Sequence, residues 1–292
     1  MSEIANNILI PVDFNEVSLI AIEQSYNLAR LLNLSLVLLY VHEEPNFIRG
    51  LFSDDEFKKR KDLILSRLDD LAKKAEQDGG ITTKTMVVEG RVYDEINRMA
   101  AQLHSKFIVM GTRGALEEKK MVGANTSRII RSAPCPVITI NSKHNHKGCR
   151  SILLPLDLTQ ETRQKVTKAI EIALLFNAEV KVMSALWSKH NEVIHNQLLR
   201  QLKQAQDFIT AAGVKCSAEL VESTGSEKSL VPIILRYAKE QGDIDLIIIM
   251  TQQEMAIVEF FLSSSAQEVI RTSEIPVMSV VPKELGFTSI MS

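Results

Sequence analysis

The chain has 292 residues, enough for two domains of ordinary size, with 45% apolar and 24% charged residues, the composition of a soluble globular protein. A net charge of −2 gives no overall attraction to nucleic acid or to an anionic membrane, and no run reaches the roughly 18 apolar residues of a membrane span. No signal peptide is visible in residues 1–7, and three widely spaced cysteines (Cys135, Cys149 and Cys216) fit a reducing compartment, so a cytoplasmic location is expected.

In chain order, Asn7–Pro11 reads as a strand. Glu16–Leu32 sets Leu19, Ile22, Tyr26 and Ala29 at helical spacing. Leu34–Val41 is a nearly all-apolar strand. Asp54–Gln77 is a long amphipathic helix whose charges over Asp54–Lys74 read as a solvated face, and Gly79-Gly80 stops it. Thr82–Val88 is a strand and Val92–Leu103 a helix. Phe107–Met110 and Val137–Ile140 are strands separated by a loop and a helix around Thr126–Ser132. The polar segment Asn141–Cys149 reads as a linker. Strands then return near 151–156, 179–186, 215–221, 245–250 and 277–281.

The second half repeats the first. Ile8-Leu9-Ile10-Pro11-Val12-Asp13 returns as Ile152-Leu153-Leu154-Pro155-Leu156-Asp157, 144 residues on. At the same offset Ala29-Arg30-Leu31-Leu32-Asn33 matches Ala173-Leu174-Leu175-Phe176-Asn177. Cys135-Pro136-Val137 matches Ile275-Pro276-Val277 at an offset of 140. A repeat this long is a duplicated domain. Boundaries of 1–141 and 150–283 follow. Apolar strands alternating with helices specify a parallel sheet covered on both faces.

In such a sheet a ligand is held beyond the carboxyl ends of the strands, where the strand order reverses. Pro11-Val12-Asp13, Val41, Gly111-Thr112-Arg113-Gly114 and Gly123-Ala124-Asn125-Thr126 fall there. Glycines let main-chain N–H groups approach a ligand, and a helix N-terminus suits phosphate. Asn125 and Thr126 are candidates for capping or for side-chain contact with phosphate. The chain contains neither a P-loop nor a dinucleotide fingerprint.

Met110-Gly111-Thr112-Arg113-Gly114, Gly123-Ala124-Asn125-Thr126-Ser127 and Ala133-Pro134-Cys135-Pro136-Val137 together resemble the signature of the universal stress protein family. Pro11-Val12-Asp13 and Gly90-Arg91 are similar to that family too, and the resemblance covers nearly the whole chain as two tandem copies. It implies an α/β fold of two tandem open parallel five-stranded sheets flanked by helices, Rossmann-like and similar to the adenine nucleotide alpha hydrolases. It also implies ATP, with magnesium, in the nucleotide-binding branch. Pro11, Val12, Asp13 and Val41 would surround the adenosine. Met110, Gly111, Arg113, Gly114, Gly123, Ala124, Asn125 and Thr126 would line the phosphates.

This sequence departs from the family spacing: residues 115–122 separate Gly114 from Gly123, one fewer than usual, and Ala124 stands where a hydroxyl is expected. In the second half Met250 and Gln253 align with Gly111 and Gly114, and Ser263 and Ser264 with Gly123 and Ala124. Side chains there block the open backbone a phosphate needs, so the second copy is expected to be nucleotide-free and Asp157 to be structural. The leading expectation is a non-catalytic stress-response regulator with a nucleotide in the first domain and an unidentified protein partner. Its domains would pair as the single-domain members of the family dimerise, with a homodimer of the whole chain left open. A nucleotide-free scaffold and a slow nucleotide hydrolase are the alternatives.

Other features read as structural. His144, His146 and Cys149 belong to the linker, His190 and His195 to a helix surface, and Cys135, opposite Ile275, to the core. Trp187 is expected to pack near a strand end. Phe47–Phe52 and Ile257–Leu262 are expected to pack or to meet the other domain.

Overall fold

A computed structural model of the chain describes residues 6–43, 54–112, 122–141, 148–158, 162–186, 192–227, 229–251 and 264–281, with backbone alone at 54–57 and 264. The first half runs β1 (Asn7–Pro11), α1 (Glu16–Leu32), β2 (Ser35–His42), α2 (Asp54–Gly79), β3 (Thr83–Glu89), α3 (Val92–Gln102), β4 (Phe107–Gly111), α4 (Ala124–Ser132) and β5 (Val137–Ile140). The second runs β6 (Ser151–Pro155), α5 (Thr162–Phe176), β7 (Glu179–Leu186), α6 (Glu192–Ala211), β8 (Cys216–Glu222), α7 (Leu230–Gln241), β9 (Leu246–Met250), α8 (Ser264–Thr272) and β10 (Val277–Val280). Each half is the expected five-stranded parallel sheet, ordered β3-β2-β1-β4-β5 and its counterpart β8-β7-β6-β9-β10.

The halves do not form separate sheets. β5 and β10 pair antiparallel, Val277 opposite Thr139 and Ser279 opposite Val137, and fuse the two into one ten-stranded sheet. Both strands are fully buried, and the Thr139 hydroxyl donates to the Val277 carbonyl at 3.2 Å. Joining two apolar edges satisfies backbone groups that a lone domain would leave open. The two domains thus pair through their last strands.

Helices cover both faces. α1, α2, α5 and α6 pack one face, with Ile22, Leu68, Ala169 and Ile209 in its core. α3, α4, α7 and α8 pack the other through Ile96, Ile129, Ile233 and Ile270. Strands buried on both sides must be apolar at every position, which is why Ile8-Leu9-Ile10 and Ile152-Leu153-Leu154 lack alternation. Phe107 and Phe176 stack with ring centroids 6.3 Å apart and tie the first domain's β4 to the second domain's α5.

The repeated phrases have physical causes. Asn33 and Asn177 end α1 and α5 with φ of 51° and 52°. Asparagine tolerates this left-handed turn better than other residues with a Cβ. Leu34 and Ala178 N–H groups then bond back to the Ala29 and Ala173 carbonyls, both at 2.9 Å. Pro136 and Pro276 accept from Ile108 and Ile247 in the neighbouring strand. At the end of α2, Gly80 adopts φ 67° and bonds back to Glu76, so Gly79-Gly80 does stop the helix.

Three expectations lie outside the described residues: Trp187, His190 and the apolar pieces Phe47–Phe52 and Ile257–Leu262. So do His144 and His146. His195 lies in α6.

Candidate functional site

The strand order of the first half reverses between β1 and β4, and a cavity of about 380 Å³ opens beyond their carboxyl ends. Pro11, Val12, Asp13, Val41, Met110, Gly111, Gly123, Asn125 and Thr126 all line it. Ala124 opens α4 between two of these residues. Arg113 and Gly114 lie outside the described residues. Thr112 lines the cavity too, within the Gly111–Gly114 run that the sequence placed there, whereas Asn15 and Arg271 line it and the sequence reading assigned neither to it.

The β1–α1 turn is built for presentation. Val12 N–H donates to the Leu39 carbonyl at 2.8 Å and extends the β1–β2 ladder by one rung. Phe14 follows in the left-handed region at φ 61°, a strained setting for a bulky residue. Its ring is held 5.5 Å from Tyr40, and the Arg67 guanidinium lies over it at 4.0 Å. Asn15 caps α1, accepting from the Ser18 N–H at 2.9 Å, while its backbone and side-chain nitrogens donate to the Asp13 carboxylate. Asp13 is thereby fixed at an exposed position on the rim.

Two glycines of the site have different causes. A Cβ at Gly111 would lie 2.3 Å from the Val17 carbonyl oxygen and 2.9 Å from the Ser18 nitrogen. The glycine is required because the first turn of α1 crosses β4 there, a packing reason and not the ligand reason expected. At Gly123 a Cβ would meet no atom closer than the Thr126 hydroxyl at 3.9 Å, and φ is −54°. Gly123 is the N-cap of α4 and makes no side-chain cap. Asn125 and Thr126 lie inside the helix, so the expectation that they cap it is corrected. The first-turn amides of α4 therefore face the cavity end without a side-chain cap, carrying the positive end of the helix dipole.

Buried polar groups are normally paired. Among the described residues two that line this cavity hold a buried atom with no hydrogen-bond partner: Thr112 Oγ1 and Arg271 Nε. The matching Thr251 in the second domain donates to the Val280 carbonyl at 3.4 Å.

The equivalent place in the second domain is filled differently. Met250 is buried where the first domain has Gly111. The Lys165 ammonium reaches the Asp157 carboxylate at 2.6 Å with its side chain 8% exposed. Thr162 Oγ1 and Gln201 Nε2 donate to the Asp157 carbonyl. Ala21 stands at the position of Lys165 in the first repeat, so the ion pair is particular to the second. Ser264 opens α8, while Gln253 and Ser263 lie outside the described residues.

The three thiols are free, and burial raises Cys135 and Cys149 to about 12 and Cys216 to about 11. Cys135 packs with the core against which α3 and α4 lie, as its match to Ile275 implies. Among the described residues no helix is long and apolar enough to cross a membrane.

The sequence pattern of the universal stress protein family matches residues 5–141 and again 148–281. The chain belongs to the universal stress protein family. Universal stress protein MJ0531 of Methanocaldococcus jannaschii is 28% identical over 137 residues, covering 46% of this chain and 80% of that protein. Universal stress protein MJ0577 of the same organism is 26% identical over 163 residues, covering 50% of this chain and all of that protein. Each relative thus aligns with about half of this two-domain chain. A crystal structure of a universal stress protein from Archaeoglobus fulgidus shares the fold across both halves, with a TM-score of 0.74 at 18% identity over 96% of this chain and 97% of that one.

Proposed function

We propose that this tandem universal stress protein binds ATP or a related adenine nucleotide in its first domain and acts as a regulator without transforming it. The observation that carries the reading is the switch-point cavity with two unlike ends. Pro11, Val12 and Val41 offer apolar surface suited to a purine. The uncapped start of α4 at Gly123–Thr126 offers amide hydrogens suited to phosphates. Asp13, on the rim between them, is placed to accept from ribose hydroxyls. The volume lies within the range of about 300–1,000 Å³ typical of small-molecule sites.

The described lining residues support binding without turnover. Among the described lining residues Asp13 is the sole carboxylate, and no His, Cys or Lys lines the cavity. That set lacks a sheltered base to activate water. Among the described residues no cluster of three or more His, Cys, Asp or Glu can hold a metal, so magnesium would arrive with the phosphates. The bound nucleotide would supply a polyanion, and the protein would hold and orient it. In the second domain Lys165 pairs with Asp157, and Met250 puts a buried side chain at the position of Gly111, which supports a nucleotide-free copy.

Calorimetric titration with Mg-ATP tests the reading. One site per chain is expected, with micromolar affinity worth about 8 kcal/mol. Asp13→Ala is expected to weaken it at least tenfold, since a hydrogen bond to a charged group contributes roughly 1.5–3 kcal/mol. Folded wild-type protein that gives neither heat nor a thermal shift with millimolar Mg-ATP would leave the scaffold reading. Steady phosphate release above that of Asp13→Ala would favour a hydrolase.

A further inference from the structure

We propose that Arg271, a residue of the second domain, completes the nucleotide cavity of the first and binds the phosphate end of its ligand. The inference rests on the nucleotide reading and adds a residue from the other repeat.

The placement comes from the junction of the two sheets. Because β5 and β10 pair, the last turn of α8 is brought to the carboxyl end of β5. Asn141, the residue after β5, donates its side-chain amide to the Ile270 and Arg271 carbonyls at 3.3 and 3.1 Å. A first-domain side chain thus satisfies carbonyls that a helix end leaves open. It also fixes where Arg271 begins. β5 adjoins β4, whose end carries Gly111 and Thr112, and the Thr112 N–H bonds to the Ile140 carbonyl beside Asn141.

Strand order then decides which end of the cavity Arg271 serves. Val41 on β2 and Pro11 on β1 form one side; Thr112 on β4 and the start of α4 form the other. Arg271 arrives from beyond β5, next to Thr112 and away from Val41. This is the end with uncapped amides and the orphaned Thr112 hydroxyl.

The electrostatics agree. Arg271 lines the cavity with its Nε buried and without a hydrogen-bond partner, and no ion pair among the described residues involves it. A buried guanidinium nitrogen without an acceptor is costly, and a phosphate oxygen is the acceptor its planar fork suits best. With Arg271 in place a phosphate would meet amides from one domain and a cation from the other. Ligand would then bridge the β5–β10 junction.

The test compares Mg-ATP with adenosine by calorimetry on wild type, Arg271→Ala and Arg271→Lys. Arg271→Ala is expected to weaken ATP about ten- to a hundredfold and to leave adenosine within twofold. Arg271→Lys keeps the charge without the fork and should lose less. If Arg271→Ala does not fold, the same ATP-selective loss in Arg271→Lys, smaller in size, decides the matter. ATP affinity unchanged in both variants overturns the inference while the nucleotide reading stands. Equal loss of ATP and adenosine overturns it too, because Arg271 would then shape the cavity without meeting phosphate. Wild type that binds neither probe overturns both readings together.

Discussion

The contrast between Gly111 and Gly123 gives a prediction with a magnitude. A methyl group added at Gly111 would sit 2.3 Å from the Val17 carbonyl oxygen and 2.4 Å from its carbon. Ordinary contact begins near 3.4 Å, so one partner must move by about 1 Å. Both partners are backbone, one in a central strand and one in the first turn of α1, where Asn15 caps the helix and holds Asp13. Overpacking of this kind costs about 1–3 kcal/mol, and rigid backbone on both sides places Gly111→Ala at the upper end. Loss of glycine's freedom in the unfolded chain returns about 0.4–1 kcal/mol, too little to cancel the clash. Gly123→Ala meets nothing within 3.9 Å at an ordinary φ and should cost no more than about 1 kcal/mol, from alanine being a poorer N-cap than glycine and not from a clash. Urea denaturation followed by circular dichroism reads both as midpoint shifts at constant slope. Equal stability of Gly111→Ala and wild type would refute the packing account of that glycine.

Three further outcomes follow from the structure. Asp157→Ala removes the carboxylate that meets the buried Lys165 ammonium, and should cost about 1–3 kcal/mol in urea denaturation, moderated because Asp157 is 46% exposed; no loss would mean the pair is idle. The Thr224 hydroxyl, with Ser223 and Arg236, holds the Glu227 carboxyl down from 4.5 to about 2. A depressed carboxylate stabilises the fold above its ordinary value, and that contribution fades as pH falls from about 4.5 toward 2. Melting temperature against pH should therefore fall less steeply over that window in Glu227→Gln, and identical slopes would contradict the assignment. With thiols raised to about 11–12, native protein at pH 8 should react with a disulfide reagent far more slowly than urea-unfolded protein, and a rapid native phase would show an accessible thiolate.

Much of the fold was legible because local and global demands coincide. A strand buried on both faces must read as unbroken apolar residues, and Ile8-Leu9-Ile10 and Leu246–Met250 do. A helix that ends in the left-handed region favours asparagine or glycine, and Asn33, Asn177 and Gly80 mark three such ends. The site was legible where the strand ends themselves form it, at Pro11–Asp13 and Met110–Gly111. It was not legible where the cause lies far along the chain. Gly111 answers to the backbone of Val17 in the first turn of α1, so its motif invited a ligand reason for a packing fact. Asn125 and Thr126 are good capping residues in isolation, yet α4 starts earlier, at Ala124. Arg271 stands 130 residues beyond Asn141, the residue that positions it, and no local pattern distinguishes it from a surface arginine. The Asp157–Lys165 pair was half visible: the aspartate repeats Asp13, while the lysine that occupies it replaces Ala21 of the first copy.

A crystal structure grown with excess Mg-ATP addresses the central claim most directly. The account predicts one nucleotide per chain, its base against Pro11, Val12 and Val41 and its phosphates at the start of α4 beside Thr112. A first-domain cavity without nucleotide under those conditions, or a nucleotide seated against Asp157 and Lys165 in the second domain, would contradict it.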